Sequence, residues 1–122
     1  MSDAKPTVMI VENDSNIREG LALLLRGDGF EVIAESEARE ALDKLRLHPE
    51  VRVILLDLML FGMDGAGFRW AQLSEPALSQ VPVILISAMS DVGKTAASLH
   101  AVDYFQKPID LDRMLQSVRR FR

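Results

Sequence analysis

Groups able to handle a phosphoryl ion or a hard cation stand at the ends of apolar runs in this sequence. Asp57 closes the run Val53-Ile54-Leu55-Leu56 and opens into a loop bearing Gly62 and Gly65. Glu12, Asn13 and Asp14 follow Thr7 to Val11, Ser87 closes a run from Val81, and Lys107 follows Val102 to Gln106. Carboxylates supply oxygen ligands for Mg2+. A lysine neutralises phosphoryl charge and a hydroxyl hydrogen-bonds an equatorial oxygen. A carboxylate can also be the nucleophile, giving an acyl phosphate. Each residue alone has a plainer role: aspartates close turns, a strand-end lysine can cap a helix, and a serine can satisfy its own loop. Their joint occurrence after four separate apolar runs carries more weight than any one of them.

The runs read as strands. A continuous leucine and β-branched stretch predicts a strand buried on both faces, as in a parallel sheet. Between them lie helical patterns. Asp14 or Ser15 caps a helix with Ile17, Leu21, Leu24 and Leu25 on one face, stopped by Gly27-Asp28-Gly29. A short second strand spans Glu31 to Glu35. Ser36 then opens a helix with Ala38, Ala41, Leu42 and Leu45 inward, ended at His48-Pro49. Gly65 leads into a helix carrying Phe68, Ala71 and Leu73, and an alanine-rich helix is predicted from about Asp91 to His100. Asp110 caps a last helix with Leu111, Met114, Leu115 and Val118 as its buried stripe. Strands alternating with helices predict right-handed βαβ units, hence a five-stranded parallel α/β domain. The carboxyl ends of its strands share one edge, where ligands of such sheets bind.

The 122 residues predict a single domain, 1–122, able to bury a normal core. Without cysteine, disulfides and thiolate chemistry are excluded. The first residues lack a signal-peptide core, and no apolar run approaches the roughly 20 residues of a membrane span. A cytoplasmic setting with no membrane partner is the expectation. The net charge of -4 argues against direct nucleic-acid binding.

The whole chain resembles a two-component response-regulator receiver domain of the CheY-like kind. The matching motifs are Val11-Glu12-Asn13-Asp14 with Ile17-Arg18, then Asp57 through Gly65, Ile86-Ser87-Ala88, and Asp103 through Pro108. The resemblance implies a flavodoxin-like sheet of order 2-1-3-4-5 and a regulatory phosphoacceptor, not an enzyme acting on other substrates. A sensor histidine kinase or phosphotransfer protein would phosphorylate Asp57. Mg2+ would be held by Glu12, Asn13, Asp57 and the Met59 main-chain carbonyl. Lys107 would pair with the phosphate, Ser87 would follow the phosphoryl group, and Tyr104 would change rotamer as the readout. The output would pass to a downstream protein or a fused output domain. The family also admits a homodimer through helix four, strand five and helix five.

Several positions depart from the family pattern. The acidic pair maps to Glu12 and Asn13, so the pocket loses one negative charge and Mg2+ binding should weaken. A one-residue shift would bring Asp14 into the pocket instead of leaving it at the helix start. Phe61 stands where proline is common, His100 replaces a glycine before strand five, and the Ser87-to-Tyr104 segment is short. Asn13 and the short fourth-helix region favour an alternative, a pseudo-receiver acting as an interaction module without phosphorylation, which the intact Asp57, Ser87, Lys107 and Tyr104 oppose. Met59 and Met89, on the pocket rim, would restrict attacking water and prolong the phosphoryl state. Gly93-Lys94-Thr95 approximates a nucleotide phosphate loop but lacks its first glycine. Trp70 reads as packing, and His48 and His100 as helix-end residues.

Overall fold

The computed structural model describes residues 4–60 and 62–122. Phe61 therefore lies outside the described residues. Strands and helices alternate along the chain: β1 Thr7–Val11, α1 Ser15–Gly27, β2 Glu31–Glu35, α2 Ala38–Leu47 and β3 Val51–Asp57, followed by α3 Gly65–Ser74, β4 Val83–Ser87, α4 Val92–Ser98, β5 Asp103–Gln106 and α5 Leu111–Arg119. All strand pairs are parallel, in the order β2-β1-β3-β4-β5.

Burial follows from that order. The central strands β1 and β4 are buried at every residue, and β3 at all but Arg52. The edge strands β2 and β5 carry exposed positions. Successive side chains of a strand point to opposite faces, so each apolar run feeds two cores. Val8, Ile10, Val53, Leu55, Ile84 and Ile86 meet α1 and α5. Met9, Val11, Ile54, Leu56, Val83 and Leu85 meet α2, α3 and α4. Burying each such side chain contributes about 2 kcal/mol.

Most element boundaries agree with the periodicity, and the exceptions have local causes. Glu37, not Ser36, is the N-cap of α2, and its side chain makes no capping bond. β4 starts at Val83, after Pro82, which has no N–H for the ladder. β5 begins at Asp103 and not Val102, which is half-exposed. α4 is only seven residues long, because its alanines offer little area to hold a longer helix on the sheet. Leu111 does not join the α5 stripe: it is the first helical residue and half-exposed, while Ser117 is buried instead. In α3, Ala71 and Leu73 are only partly buried, and Arg69 and Gln72 take the inward positions. Among the described residues, no helix is long and apolar enough to cross a membrane.

The two histidines lie at helix ends, as their positions predict. His48 caps α2. His100 follows α4 with φ of 55°, the left-handed region that a glycine occupies without cost. Gly93, Lys94 and Thr95 lie inside α4, not in a loop around an anion, so the nucleotide-loop pattern has no structural counterpart. Trp70 is half-exposed on α3.

Candidate phosphoryl and metal site

Register brings the strand ends level. Val11 faces Leu56, Asp57 faces Ile86, and Ser87 faces Gln106, so Glu12, Asp57, Ser87 and Lys107 all arrive at one edge. The Lys107 amide donates to the Ser87 carbonyl at 2.8 Å, and the Leu58 amide to the Ile86 carbonyl at 3.1 Å. Those bonds tie the three loops together just beyond the sheet. The Lys107-Pro108 peptide is cis.

Glu12, Asp57 and Ser87 are buried. Lys107 Nζ lies 2.6 Å from Glu12 Oε1 and 3.3 Å from Asp57 Oδ2. Asp57 Oδ1 accepts from the Met59 amide at 3.0 Å, which fixes the carboxylate and leaves Oδ2 beside the lysine. Glu12 Oε2 accepts from the Asp14 amide at 3.1 Å. Burial pushes the Glu12 carboxyl up to about 7, with Asp57 adding to the rise and Lys107 and the Asp14 N–H opposing it. Burial alone would lower the Lys107 ammonium, but Glu12 and Asp57 outweigh it and the net shift is upward. The pocket is thus a pair of carboxyl groups held by one cation.

Asn13 is partly exposed and lines a cleft of about 380 Å³ with Leu58, Met59, Leu60 and Asp64. Asp14 is spent elsewhere. It caps α1, accepting from the Asn16 and Ile17 amides at 2.9 and 3.1 Å, so the one-residue shift is not adopted. Among the described residues no three acidic or histidine side chains gather as a metal cluster, in keeping with an amide at position 13. The donor set nevertheless fits a hard cation. Glu12 Oε1 is buried with the Lys107 ammonium as its partner, and no other donor among the described residues reaches it. Buried carboxylate oxygens of this kind are the donors Mg2+ takes.

Ser87 Oγ accepts from the Met89 amide at 3.1 Å, so the hydroxyl is held at the end of β4. Tyr104 is not drawn into this pocket. It is half-exposed and lies against α4, where a Cβ added to Gly93 would come within 3.1 Å of its Cζ and Oη. Met59 and Met89 are exposed.

Three contributors were not assigned a role from sequence. Arg18 Nη1 donates to the carbonyls of Glu12 (2.9 Å) and Asn13 (3.3 Å), bracing the β1–α1 loop. A cation in the first turns of a helix opposes the helix dipole, and that misfit was the available signal. Gly65 packs directly on the backbone after β3: a Cβ there would overlap the Asp57 carbonyl oxygen and come 2.6 Å from Leu58 Cα. Asp64 caps α3 through the Gly67 amide at 2.7 Å, fixing the far side of the loop.

The sequence matches the family model described as response regulator receiver domain over residues 8–119. It is 30% identical over 122 residues to the DNA-binding response regulator MtrA of Mycobacterium tuberculosis, covering 98% of this chain and 51% of that protein. It is 36% identical over 115 residues to the sensory transduction protein RegX3 of Mycolicibacterium smegmatis, covering 93% of this chain and 49% of that one. The chain thus spans about half the length of these curated relatives. Among solved structures, a response regulator receiver protein from Pseudomonas putida superposes with a TM-score of 0.89 at 25% identity, covering 98% of this chain and 99% of that chain. The Vibrio cholerae chemotaxis protein CheY4 shares the fold with a TM-score of 0.86 at 22% identity, covering 98% of this chain and all of that chain, 100%.

Proposed function

This chain belongs to the response regulator receiver domain family, and on that premise we propose that Asp57 is its phosphoacceptor. The carrying observation is the buried Asp57 carboxylate, oriented by the Met59 amide, with the Lys107 ammonium 3.3 Å from its free oxygen. The donor would be a phosphohistidine of a sensor kinase or phosphotransfer protein. In the transfer the phosphorus–nitrogen bond breaks, an aspartyl phosphorus–oxygen bond forms, and the imidazole leaves with its electron pair and takes a proton. Lys107 would then pair with the new phosphate, and Ser87 would donate its hydroxyl to a phosphoryl oxygen.

Glu12, Asp57, the Asn13 amide and the Met59 carbonyl would hold Mg2+. When bound, the ion offsets negative charge on the transferred group. Asn13 brings an oxygen but no charge, which favours weaker metal binding than an aspartate would give. Met59 and Met89, exposed beside this edge, would slow attack by water on the aspartyl phosphate.

The role is regulatory, with self-directed phosphotransfer as its only chemistry. Residues 1–122 would act as one receiver domain in the cytoplasm, passing the signal through Tyr104 and the α4–β5 surface to a downstream protein or a fused output domain. The pseudo-receiver alternative draws no support of its own from the site, because Asp57, Ser87 and Lys107 are assembled.

The test is intact-protein mass after incubation with a small phosphodonor, with and without Mg2+, beside Asp57→Asn. One phosphoryl adduct that needs both the metal and Asp57 is expected. An adduct that persists in Asp57→Asn, or none in the wild type, overturns the assignment.

A further inference from the structure

Arg69 is 5% exposed, an unusual place for a guanidinium. Its Nε donates to the Leu99 carbonyl at 3.0 Å and its Nη2 to the His100 carbonyl at 3.1 Å. Nη1 donates to Gln72 Oε1 at 2.7 Å, and Gln72 in turn donates to the carbonyls of Leu78 and Val81, both at 2.9 Å. Among the described residues no carboxylate pairs with the charge. Burial is the sole cause acting on the Arg69 pKa, and it lowers it. An arginine buried without an acid is costly unless something else carries partial negative charge. The carboxyl end of a helix does, through its unpaired carbonyls. Arg69 therefore reaches from α3 to serve as the C-terminal cap of α4.

The other end of α4 is different. Asp91 occupies the N-cap position with φ of -106° and ψ of 30°, and its side chain makes no capping bond. Ala88, Met89, Ser90 and Asp91, which join α4 to Ser87, are all exposed. A helix of seven residues is too short to persist on backbone bonds alone, so its anchors decide its position. The carboxyl end has a buried two-pronged polar anchor, whereas the amino end has no polar cap and is held by the buried Val92 side chain.

We propose that Arg69 pins the carboxyl end of α4, so that a rearrangement begun at Ser87 is confined to residues 88–95 and to the Tyr104 ring resting on Gly93. Leu99, His100 and Ala101 are the stationary end. The pin itself stands on the geometry of the resting protein; only the confinement of an activated rearrangement rests on Asp57 as phosphoacceptor.

Amide hydrogen exchange of the full chain tests both parts, with beryllofluoride and Mg2+ as the phosphoryl analogue. In the resting wild type, the amides of Leu99, His100 and Ala101 should exchange at least about tenfold more slowly than those of Lys94 and Thr95. Adding the analogue should change exchange at 88–95 and leave 99–101 within about twofold. Arg69→Met should release 99–101 by about tenfold or more in the resting protein and extend the analogue's effect to them. Arg69→Met with Gln72→Leu removes the orphaned amide and serves if the single variant folds poorly.

Equal protection of the two ends in the wild type overturns the pin, as does unchanged exchange at 99–101 in a folded Arg69 variant. An analogue effect that already reaches 99–101 in the wild type overturns the confinement. If the analogue changes nothing anywhere while Arg69→Met still releases 99–101, the pin is upheld and the Asp57 assignment fails alone.

Discussion

The Lys107 ammonium rests 2.6 Å from Glu12 Oε1, closer than it stands to Asp57. The lysine proposed to meet the phosphate is thus held first by the neighbouring acid. With the Glu12 carboxyl at about 7 in the fold and 4.5 as its ordinary value, the folded protein carries the extra proton between those pH values. The Glu12 contribution to stability without Mg2+ should therefore be full near pH 4.5 and be lost as pH rises through 7. Glu12→Gln removes the titrating group and should flatten that slope. Urea midpoints across this range decide it, and equal slopes in the two proteins would refute the prediction.

Asn13→Asp should add a negative charge to the proposed metal site. Ligand charge count tunes the affinity of oxygen sites for divalent ions, so Mg2+ should bind roughly tenfold more tightly. A calorimetric titration in which wild type and variant coincide would sink this.

Gly65→Ala should destabilise by about 2 kcal/mol or more and slow phosphorylation, because the new methyl displaces the backbone that carries Asp57. Gly20→Ala is the control. Nothing lies within 4 Å of a Cβ there, in the middle of α1, so it should stabilise by roughly 0.5–1 kcal/mol. Similar unfolding midpoints for the two variants would contradict the close-approach argument.

His100→Gly should stabilise by up to about 1 kcal/mol. The left-handed φ costs an L-residue roughly 1–2 kcal/mol, and glycine returns part of this through greater unfolded-state entropy. The Arg69 bond to the residue-100 carbonyl survives the change. A midpoint at or below that of wild type is the disproving result.

The fold was legible because the apolar runs at β1, β3 and β4 are unbroken, which parallel central strands require and few other elements tolerate. The site was legible for the same reason: once the strands are placed, Glu12, Asp57, Ser87 and Lys107 fall at one edge whatever their sequence distance. What stayed hidden was polar burial. A count of apolar spacing assigns Arg69 and Gln72 to solvent, since their burial depends on carbonyls of Leu78, Val81, Leu99 and His100 far along the chain. Leu111 misled for the converse reason, because position in the first turn, not side-chain type, sets its exposure. The resting place of Tyr104 was likewise unreadable, because it lies against Gly93 of another element.

That glycine has a mechanical consequence. A methyl group at 93 would lie 3.1 Å from the Cζ and Oη of the ring at 104, so the ring would have to give by a few tenths of an ångström. A side chain placed at 93 would therefore act on the ring at 104 directly, although the two positions belong to different elements.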